Sequence, residues 1–221
     1  MGFAAAITSH IELATGVLIL PQRQTVLVAQ QAADVDLLSN GRLRLGVGTG
    51  WNYVEYHALG QDFASRGRRL SEQVPLLRRL WSEPLVTFDG QFDQIDRGCI
   101  NPRPRRDIPV WFGGFGEAAF KRAAKMGDGF SFAGDVETAL AGLERTRELL
   151  AEDGRDIAGF GCELILTRAR TAADVARTAE QWAAVGGTGV SVLTMKVGLD
   201  GYAAHVEYIA EVAAAVGLSA R

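Results

Sequence analysis

The sequence predicts an α/β protein with a parallel sheet wrapped by helices. Apolar strand-like runs alternate with longer segments of helical period along the 221 residues, and this alternation is typical of parallel α/β folds. One run ends in closely spaced glycines ahead of a polar stretch that can start a helix. Enzymes of this class place ligands at such carboxyl ends of strands.

The elements follow from these patterns. Strands are predicted over residues 11–19, 42–48, 108–112, 129–132, 161–167 and 189–193. Helices are predicted over residues 26–37, 66–81, 117–125, 136–152, 172–185 and 201–216. Residues 85–106 interrupt the alternation, because an Asp89-Gly90 turn indicates a hairpin over 86–92 and two prolines follow.

Two helices show a distinct apolar stripe. The first carries Val26, Ala29, Ala33 and Leu37 and ends at Ser39-Asn40-Gly41, a typical helix stop. The second carries Leu70, Val74, Leu77 and Leu80. On the second helix, the pairs Arg68-Arg69 and Arg78-Arg79, together with Glu72, predict a solvated face with salt bridges.

The strand count leaves three architectures open. A closed (β/α)8 barrel needs eight strands and typically ~250 residues, whereas this chain supplies about six units over 221 residues. Either the barrel is truncated, or the true start lies upstream of Met1, or the sheet never closes. No composition shift marks a boundary, so we expect one domain over residues 1–221.

Composition and charge exclude several classes. A net charge of −3 and a pI near 5.7, with no Lys/Arg stripe, predict no nucleic-acid partner. Two cysteines, Cys99 and Cys162, suit a reducing compartment. The amino terminus has no positive n-region and is interrupted by His10 and Glu12, which predicts neither a signal peptide nor a membrane span. We expect a cytoplasmic protein with a small-molecule substrate, and a homodimer stays open.

The glycine run at residues 46–52, GVGTGWN, points to a cofactor site. Glycines at alternate positions let a backbone pass close to a flat ligand. Their spacing is not the G-x-G-x-x-G fingerprint of dinucleotide-binding folds. The alternative is a tight turn without a ligand.

Metal and nucleophile motifs are not found. His10, His57 and His205 lack metal-ligand spacing, and there is neither a G-x-S-x-G elbow nor a P-loop. No metal site is therefore expected. Asp128, between two glycines, has the pattern of a turn residue as much as that of a site residue.

Nine short motifs then occur in order along the first 130 residues. They are LATGVLILP at 13–21, LLSNGRLRLGVGTGW at 37–51, ALG at 58–60, RGRRLSE at 66–72, LLRRLW at 76–81, FDG at 88–90, NPRP at 101–104, IPVWFGG at 108–114 and GDGF at 127–130. Together they resemble the bacterial-luciferase-like monooxygenase family, especially its branch that uses the deazaflavin coenzyme F420. The resemblance implies a (β/α)8 TIM barrel that lacks about its first two strands.

The resemblance also implies where a cofactor lies. In the family, a bulge with a non-proline cis peptide backs the central ring, and that segment is Thr15, Gly16 and Val17 here. A plain β-bulge glycine is the alternative. Gly48, Thr49 and Gly50 would face the same ring, with the Thr49 hydroxyl as a donor.

A second glycine loop, Gly113-Gly114-Phe115-Gly116, opens a predicted helix. Helix amino termini hold phosphates, and in the family this loop approaches the cofactor's side chain or phosphate. Glu117, in the first turn, would repel a phosphate placed directly on it. We therefore expect contact through Gly114 and Phe115 more than through the turn itself.

The implied activity is hydride transfer between coenzyme F420 and a small organic substrate. The alternatives are an FMN-dependent monooxygenase and a truncated, non-catalytic flavin-binding member. Sugar-phosphate dehydrogenases of the F420 branch have an acidic residue after Gly-Thr-Gly, where this chain has Trp51. An indole cannot exchange a catalytic proton, so Trp51 indicates an apolar substrate instead. The catalytic residue stays unidentified.

Overall fold

The computed structural model describes residues 1–168, 171–195 and 197–218. They form two compact units. The first unit consists of residues 1–114 and 125–128, and the second of residues 115–124 and the described residues from 129 onward.

The first unit is built around short parallel strands. Its helices are α1 (Gly2–Ile7), α2 (Thr25–Leu38), α3 (Tyr53–Ala58) and α4 (Arg66–Ser82). Its strands are β1 (Leu13–Ala14), β2 (Leu18–Ile19), β3 (Leu43–Gly48), β4 (Val86–Asp89), β5 (Gln94–Gly98) and β6 (Val110–Gly113). Strands β1 and β2 both pair with β3, and β3 pairs with β6, all in parallel. The sequence patterns did not predict α1 and α3.

The predicted strand over residues 11–19 is wrong as a continuous element. It is split into β1 and β2 by a bulge at Thr15–Val17. The Thr15 N–H still bonds the Arg44 carbonyl at 3.3 Å, and its hydroxyl donates to the Gly46 carbonyl at 2.8 Å. The chain then leaves the ladder and pairs with β3 again at Leu18.

Helix α4 confirms its predicted stripe. Leu70, Val74, Leu77 and Leu80 are at most 2% exposed. Its neighbour α2 differs from the prediction, because Val26 is 40% exposed, while Val28 and Ala32 are buried beside the predicted Ala29 and Ala33. The small alanines let Trp81 of α4 reach across and donate to the Ala29 carbonyl at 3.0 Å.

The buried carboxylate of Asp36, near the end of α2, also helps to fix the orientation of that helix. Asp36 is 2% exposed and pairs with Arg106 at 2.7 Å. Arg106 donates in addition to the Leu43 carbonyl at 2.6 Å. This pair ties α2 to the beginning of β3.

Strands β4 and β5 form the predicted hairpin, in which Asp89 is opposite Gln94. Its turn is held by Glu72 of α4. The Glu72 carboxylate accepts the backbone N–H groups of Gln91, Phe92 and Asp93 at 2.7–2.9 Å. The expected salt bridges do form on this helix, since Arg79 pairs with Glu83 and Arg78 with Asp128, but Glu72 binds the hairpin turn instead.

We expect Glu72→Ala to destabilise the first unit by about 1–3 kcal/mol, because three backbone donors lose a charged acceptor. Thermal melting of the variant and the wild type measures this. Asp96→Ala is the matched control, since Asp96 lies on the same hairpin in an exposed pair with Arg97. A Glu72→Ala melting temperature equal to that of the control would contradict the expectation.

The second unit repeats the helix–strand alternation. Its elements are α5 (Glu117–Met126, with its last two residues in the first unit), β7 (Gly129–Gly134), α6 (Val136–Glu152), β8 (Gly161–Leu166), α7 (Ala172–Ala184), β9 (Gly189–Val192) and α8 (Gly201–Ala215). Strand β8 pairs in parallel with β7 and β9. All three strands and all four helices were predicted to within about two residues of their bounds.

The core of the second unit is aromatic. Phe130 and Phe132 have ring centroids 4.7 Å apart, and Phe132 is 5.7 Å from Trp182. On the strands themselves, Glu163 of β8 accepts hydroxyl hydrogen bonds from Ser131 of β7 at 2.7 Å and Ser191 of β9 at 2.5 Å. A buried carboxylate thus joins the three strands side by side.

The two cysteines differ in environment. Cys99 is exposed just after β5, whereas Cys162 is buried on β8. Burial raises the pKa of the Cys162 thiol to about 11, although Arg147 acts in the opposite direction. Within the described ranges, no helix is long and apolar enough to cross a membrane.

Candidate functional site

Three adjacent strand ends bring most of the predicted residues together in the first unit. Strand β3 lies between β2 and β6, with Ile19 opposite Gly48 and Val47 opposite Phe112. Because the strands are parallel, their carboxyl ends meet at one edge. We call this edge the ring site and define it as Thr15–Val17, Gly48–Gly50 and Gly113–Gly114.

The bulge has the geometry that the resemblance implied. The peptide bond between Gly16 and Val17 is cis. A Cβ atom placed on Gly16 would meet no other atom within 4 Å. The bulge therefore presents bare backbone to open space.

The glycines of β3 are required by close packing. A Cβ on Gly46 would lie 1.9 Å from the Thr15 carbonyl oxygen. One on Gly48 would lie 2.8 Å from Val17 Cγ2 and 3.1 Å from the Gly113 carbonyl oxygen. The bulge and the neighbouring strands thus approach β3 at backbone distance.

The turn after β3 needs glycine for a second reason. Gly50 has φ +64°, in the left-handed region, and its Cβ would lie 2.9 Å from the Ile19 side chain. The preceding Thr49 carbonyl accepts a hydrogen bond from the buried Tyr56 hydroxyl at 2.5 Å. The sequence patterns did not identify Tyr56, since its partner is a backbone atom.

The residues after this turn form α3. Asn52 caps the helix by accepting from the Val54 N–H at 3.1 Å. Trp51 directs its indole to solvent and is 84% exposed. His57 is exposed on the same helix. In the parts of the chain that the structure describes, no group of three or more His, Cys, Asp or Glu residues could hold a metal ion.

The second glycine loop is divided between the units. Gly113 and Gly114 belong to the first unit, and Gly114 has φ +149°, which favours glycine. Phe115 belongs to the second unit, and its side chain is 83% exposed.

Glu117, the first residue of α5, is neutralised within the second unit. Its carboxylate binds Arg145 at 2.8 Å and Lys121 at 3.2 Å. Hydrogen bonds from Arg145, followed by those from Lys121, lower the pKa of Glu117 to about 2. The predicted repulsion between Glu117 and an anion is weakened accordingly, because two cations share its charge.

Asp128 acts at the opposite end of β6. Its carboxylate accepts from the Val110 N–H and from Arg78, both at 2.8 Å. These bonds fix the amino end of β6, away from the glycines. They favour the turn interpretation of Asp128.

A cavity of ≈ 680 Å³ lies in the second unit, beyond the carboxyl ends of β7 and β8. Its lining includes Asp135, Arg168, Asp174 and Arg177. Asp135 caps α6 through the Thr138 N–H, and Asp174 pairs with Arg177. These charges stabilise helix starts.

The chain was compared with known families and proteins. A model of the luciferase-like monooxygenase family matches residues 1–205. An uncharacterised protein of Mycobacterium tuberculosis is 35% identical over 147 residues, which are 65% of this chain and 51% of that protein. The pyrimidine monooxygenase RutA of Rhizobium rhizogenes is 33% identical over 171 residues, 72% of this chain and 46% of RutA.

Solved structures show the same fold. An F420-dependent secondary alcohol dehydrogenase in complex with an F420-acetone adduct has a TM-score of 0.70 and 18% identity, covering 97% of this chain and 74% of that one. The coenzyme F420 dependent tetrahydromethanopterin reductase of Methanopyrus kandleri has a TM-score of 0.67 and 19% identity, covering 85% and 60%. These likenesses confirm the predicted fold class, the α/β architecture of luciferase-like TIM barrels.

The chain spans about half the length of the curated relatives it matches. The family match, in contrast, extends over nearly the whole chain, from the first helix into α8. The strand-end glycines and the cis peptide lie inside that match. The chain belongs to the luciferase-like monooxygenase family.

Proposed function

We propose that this protein is an oxidoreductase that binds the ring of coenzyme F420 at the ring site and transfers hydride between it and a small organic substrate. The observation that carries the proposal is the open space beside the bulge, where Gly16 leaves the backbone bare next to three adjacent strand ends. Glycines 46, 48 and 50 allow the strands to approach each other, and Gly16 borders open space. A flat ring can reach the backbone at Gly16 without meeting a protein side chain there.

The residues present fit a ring of this kind. An added Cβ on Gly16 would project into free space, so a ligand can reach the bulge backbone. When bound, the deazaflavin or flavin would supply the hydride chemistry. Thr15, Gly16 and Val17 would support one face of the ring, and the Thr49 hydroxyl would donate to a polar atom at its edge.

The loop after β6 would meet the remainder of the cofactor. Gly113 and Gly114 leave its backbone free of side chains, and Gly114 adopts a φ that suits glycine.

Two groups of relatives support different candidate activities. Two solved structures with the same fold are described as F420-dependent enzymes, which supports F420 as the first choice. RutA, a pyrimidine monooxygenase, is 33% identical to this chain. It supports a monooxygenase as the second candidate, with FMN as the cofactor that the family resemblance implies.

Trp51 bears on the substrate. Its exposed indole follows the glycine turn directly, and it offers an apolar surface that can exclude water from a bound substrate. It cannot act as an acid or a base. An apolar substrate therefore suits this position better than a sugar phosphate.

The proposal is tested by titrating the purified protein with F420 and with FMN, following the fluorescence of each cofactor. We expect F420 to bind more tightly than FMN. Tighter FMN binding would select the monooxygenase candidate. If neither cofactor binds at any protein concentration that stays soluble, the proposed function is wrong.

Gly16→Ala tests the location of the ring. We expect cofactor affinity to fall roughly tenfold to a hundredfold, because overpacking by one methyl group costs about 1–3 kcal/mol. The fold should persist, since the new methyl group meets no protein atom and Gly16 does not have a left-handed φ. Isothermal titration and thermal melting measure the two effects.

Gly159→Ala is the matched control, because a Cβ on Gly159 also meets nothing within 4 Å and this residue lies in the second unit. Its affinity should equal that of the wild type. A Gly16→Ala protein that binds as tightly as Gly159→Ala would show that the ring lies elsewhere.

A further inference from the structure

Tyr56 is a buried side chain fixed behind the ring site. It is 1% exposed, and its ring packs edge to face on Phe63 with centroids 5.3 Å apart. Its hydroxyl donates to the Thr49 carbonyl oxygen at 2.5 Å. Both ends of the side chain are therefore held, one by an aromatic contact and one by a hydrogen bond.

The hydrogen bond sets the orientation of one peptide group. The bond between Thr49 and Gly50 is trans, so its carbonyl and N–H point in opposite directions. With the carbonyl aimed at Tyr56, the Gly50 N–H points away from α3. Across the described residues, no protein acceptor takes this N–H. A backbone donor thus stands at the margin of the ring site.

The Gly50 position is fixed from the other side as well. Its φ of +64° and its contact with Ile19 leave no room for a side chain. Ile19 is the second residue of β2, the short strand that follows the bulge. The turn is therefore held between Tyr56 on one side and the bulge strand on the other.

Burial keeps the Tyr56 hydroxyl protonated. Burial raises the pKa of Tyr56 to about 12, and Glu55 acts in the same direction. Arg66 and Arg69 of α4 act against it. The hydroxyl remains a donor to Thr49 throughout the neutral pH range.

We propose that Tyr56 is a positioning residue of the ring site, which aims the Gly50 N–H at a carbonyl oxygen or nitrogen of the bound ring. This inference rests on the proposed function. The ring would gain a hydrogen bond that neither the backbone of the bulge nor the Thr49 hydroxyl provides. Tyr56 acts through Thr49 and does not touch the ring itself.

The first test is Tyr56→Phe, with Tyr53→Phe as its matched control. Tyr53 is on the same helix and is 67% exposed. We expect Tyr56→Phe to weaken the binding of F420 or FMN about twofold to tenfold, the ratio that corresponds to one hydrogen bond. We also expect the visible absorption band of the bound ring to shift, because a hydrogen bond to the ring is lost. The control should show neither effect.

The outcomes separate the two proposals. If the wild type binds neither cofactor, the proposed function fails and this inference fails with it. If the wild type binds and Tyr56→Phe binds equally well, only the inference fails. Weaker binding with an unshifted absorption band, accompanied by a lower melting temperature, would show that Tyr56 merely stabilises the loop, and would also overturn the inference.

A second variant covers the case in which Tyr56→Phe does not fold. A polyfluorinated tyrosine at position 56 keeps the ring and the hydroxyl, but its hydroxyl ionises at lower pH. We expect cofactor binding by this protein to weaken at a lower pH than in the wild type, with an absorption shift in the same range. The same residue at position 53 is the control. A pH profile identical to that of the wild type would overturn the inference.

Discussion

Gly46→Ala is expected to disrupt the first unit. The added Cβ would lie 1.9 Å from the Thr15 carbonyl oxygen and 3.1 Å from its carbonyl carbon. These are backbone atoms, which cannot turn aside as a flexible side chain could, so the bulge would have to move off β3. Overpacking typically costs 1–3 kcal/mol and occasionally more. We expect at least about 3 kcal/mol here, a large share of the usual total stability.

Thermal melting and near-ultraviolet circular dichroism measure this loss. Gly16→Ala is the matched control, because it adds the same methyl group in the same bulge but into open space. The control should keep the wild-type melting temperature. A Gly46→Ala protein as stable as the control would mean that the contact between the bulge and β3 is looser than the structure shows.

Arg106→Met should destabilise the first unit by about 3–5 kcal/mol, the usual cost of leaving a buried charge without its partner. Asp36 is 2% exposed and accepts from Arg106 Nη2 at 2.7 Å and from Nε at 3.1 Å. Methionine retains an apolar chain but donates nothing. The Leu43 carbonyl loses its arginine donor as well.

Urea denaturation provides the measurement, with Arg97→Met as the control. Arg97 pairs with Asp96 in full exposure, and such surface pairs contribute about 0–1 kcal/mol. Asp36→Asn combined with Arg106→Met should recover part of the loss, because the amide carries no charge. If the double variant is no more stable than Arg106→Met alone, the buried charge is not the cause.

The spacing of apolar residues predicted the buried face of a helix only where one side of the helix is apolar and the other is polar. Helix α4 has one apolar stripe, so its buried residues follow from spacing alone. Helix α2 is apolar around most of its circumference, and its orientation is decided by Trp81 and by the pair of Asp36 with Arg106. Contacts that far apart in sequence leave no periodic signal.

The sequence pointed to the glycines of the candidate site but not to the side chains that bond its backbone. The glycine spacing and the family resemblance drew attention to Gly16, Gly48 and Gly50, and at Gly48 and Gly50 the packing leaves no room for a side chain. The roles of Glu72 and Tyr56 could not be predicted, because both bond backbone atoms brought close by the fold. Every residue has the same backbone groups, so a hydrogen bond to the backbone leaves no recognisable pair of residue types in the sequence.

The two cysteines should react with a thiol reagent at different rates, and the difference reports on the opening of the second unit. A thiol reagent reacts with the thiolate of an accessible cysteine, so Cys99 should be labelled promptly, while Cys162 waits for its surroundings to open. Cys162 lies on the central strand of the second unit, between β7 and β9. The delay between the first and the second label therefore times the opening of that unit alone, with Cys99 as the internal reference for the reagent.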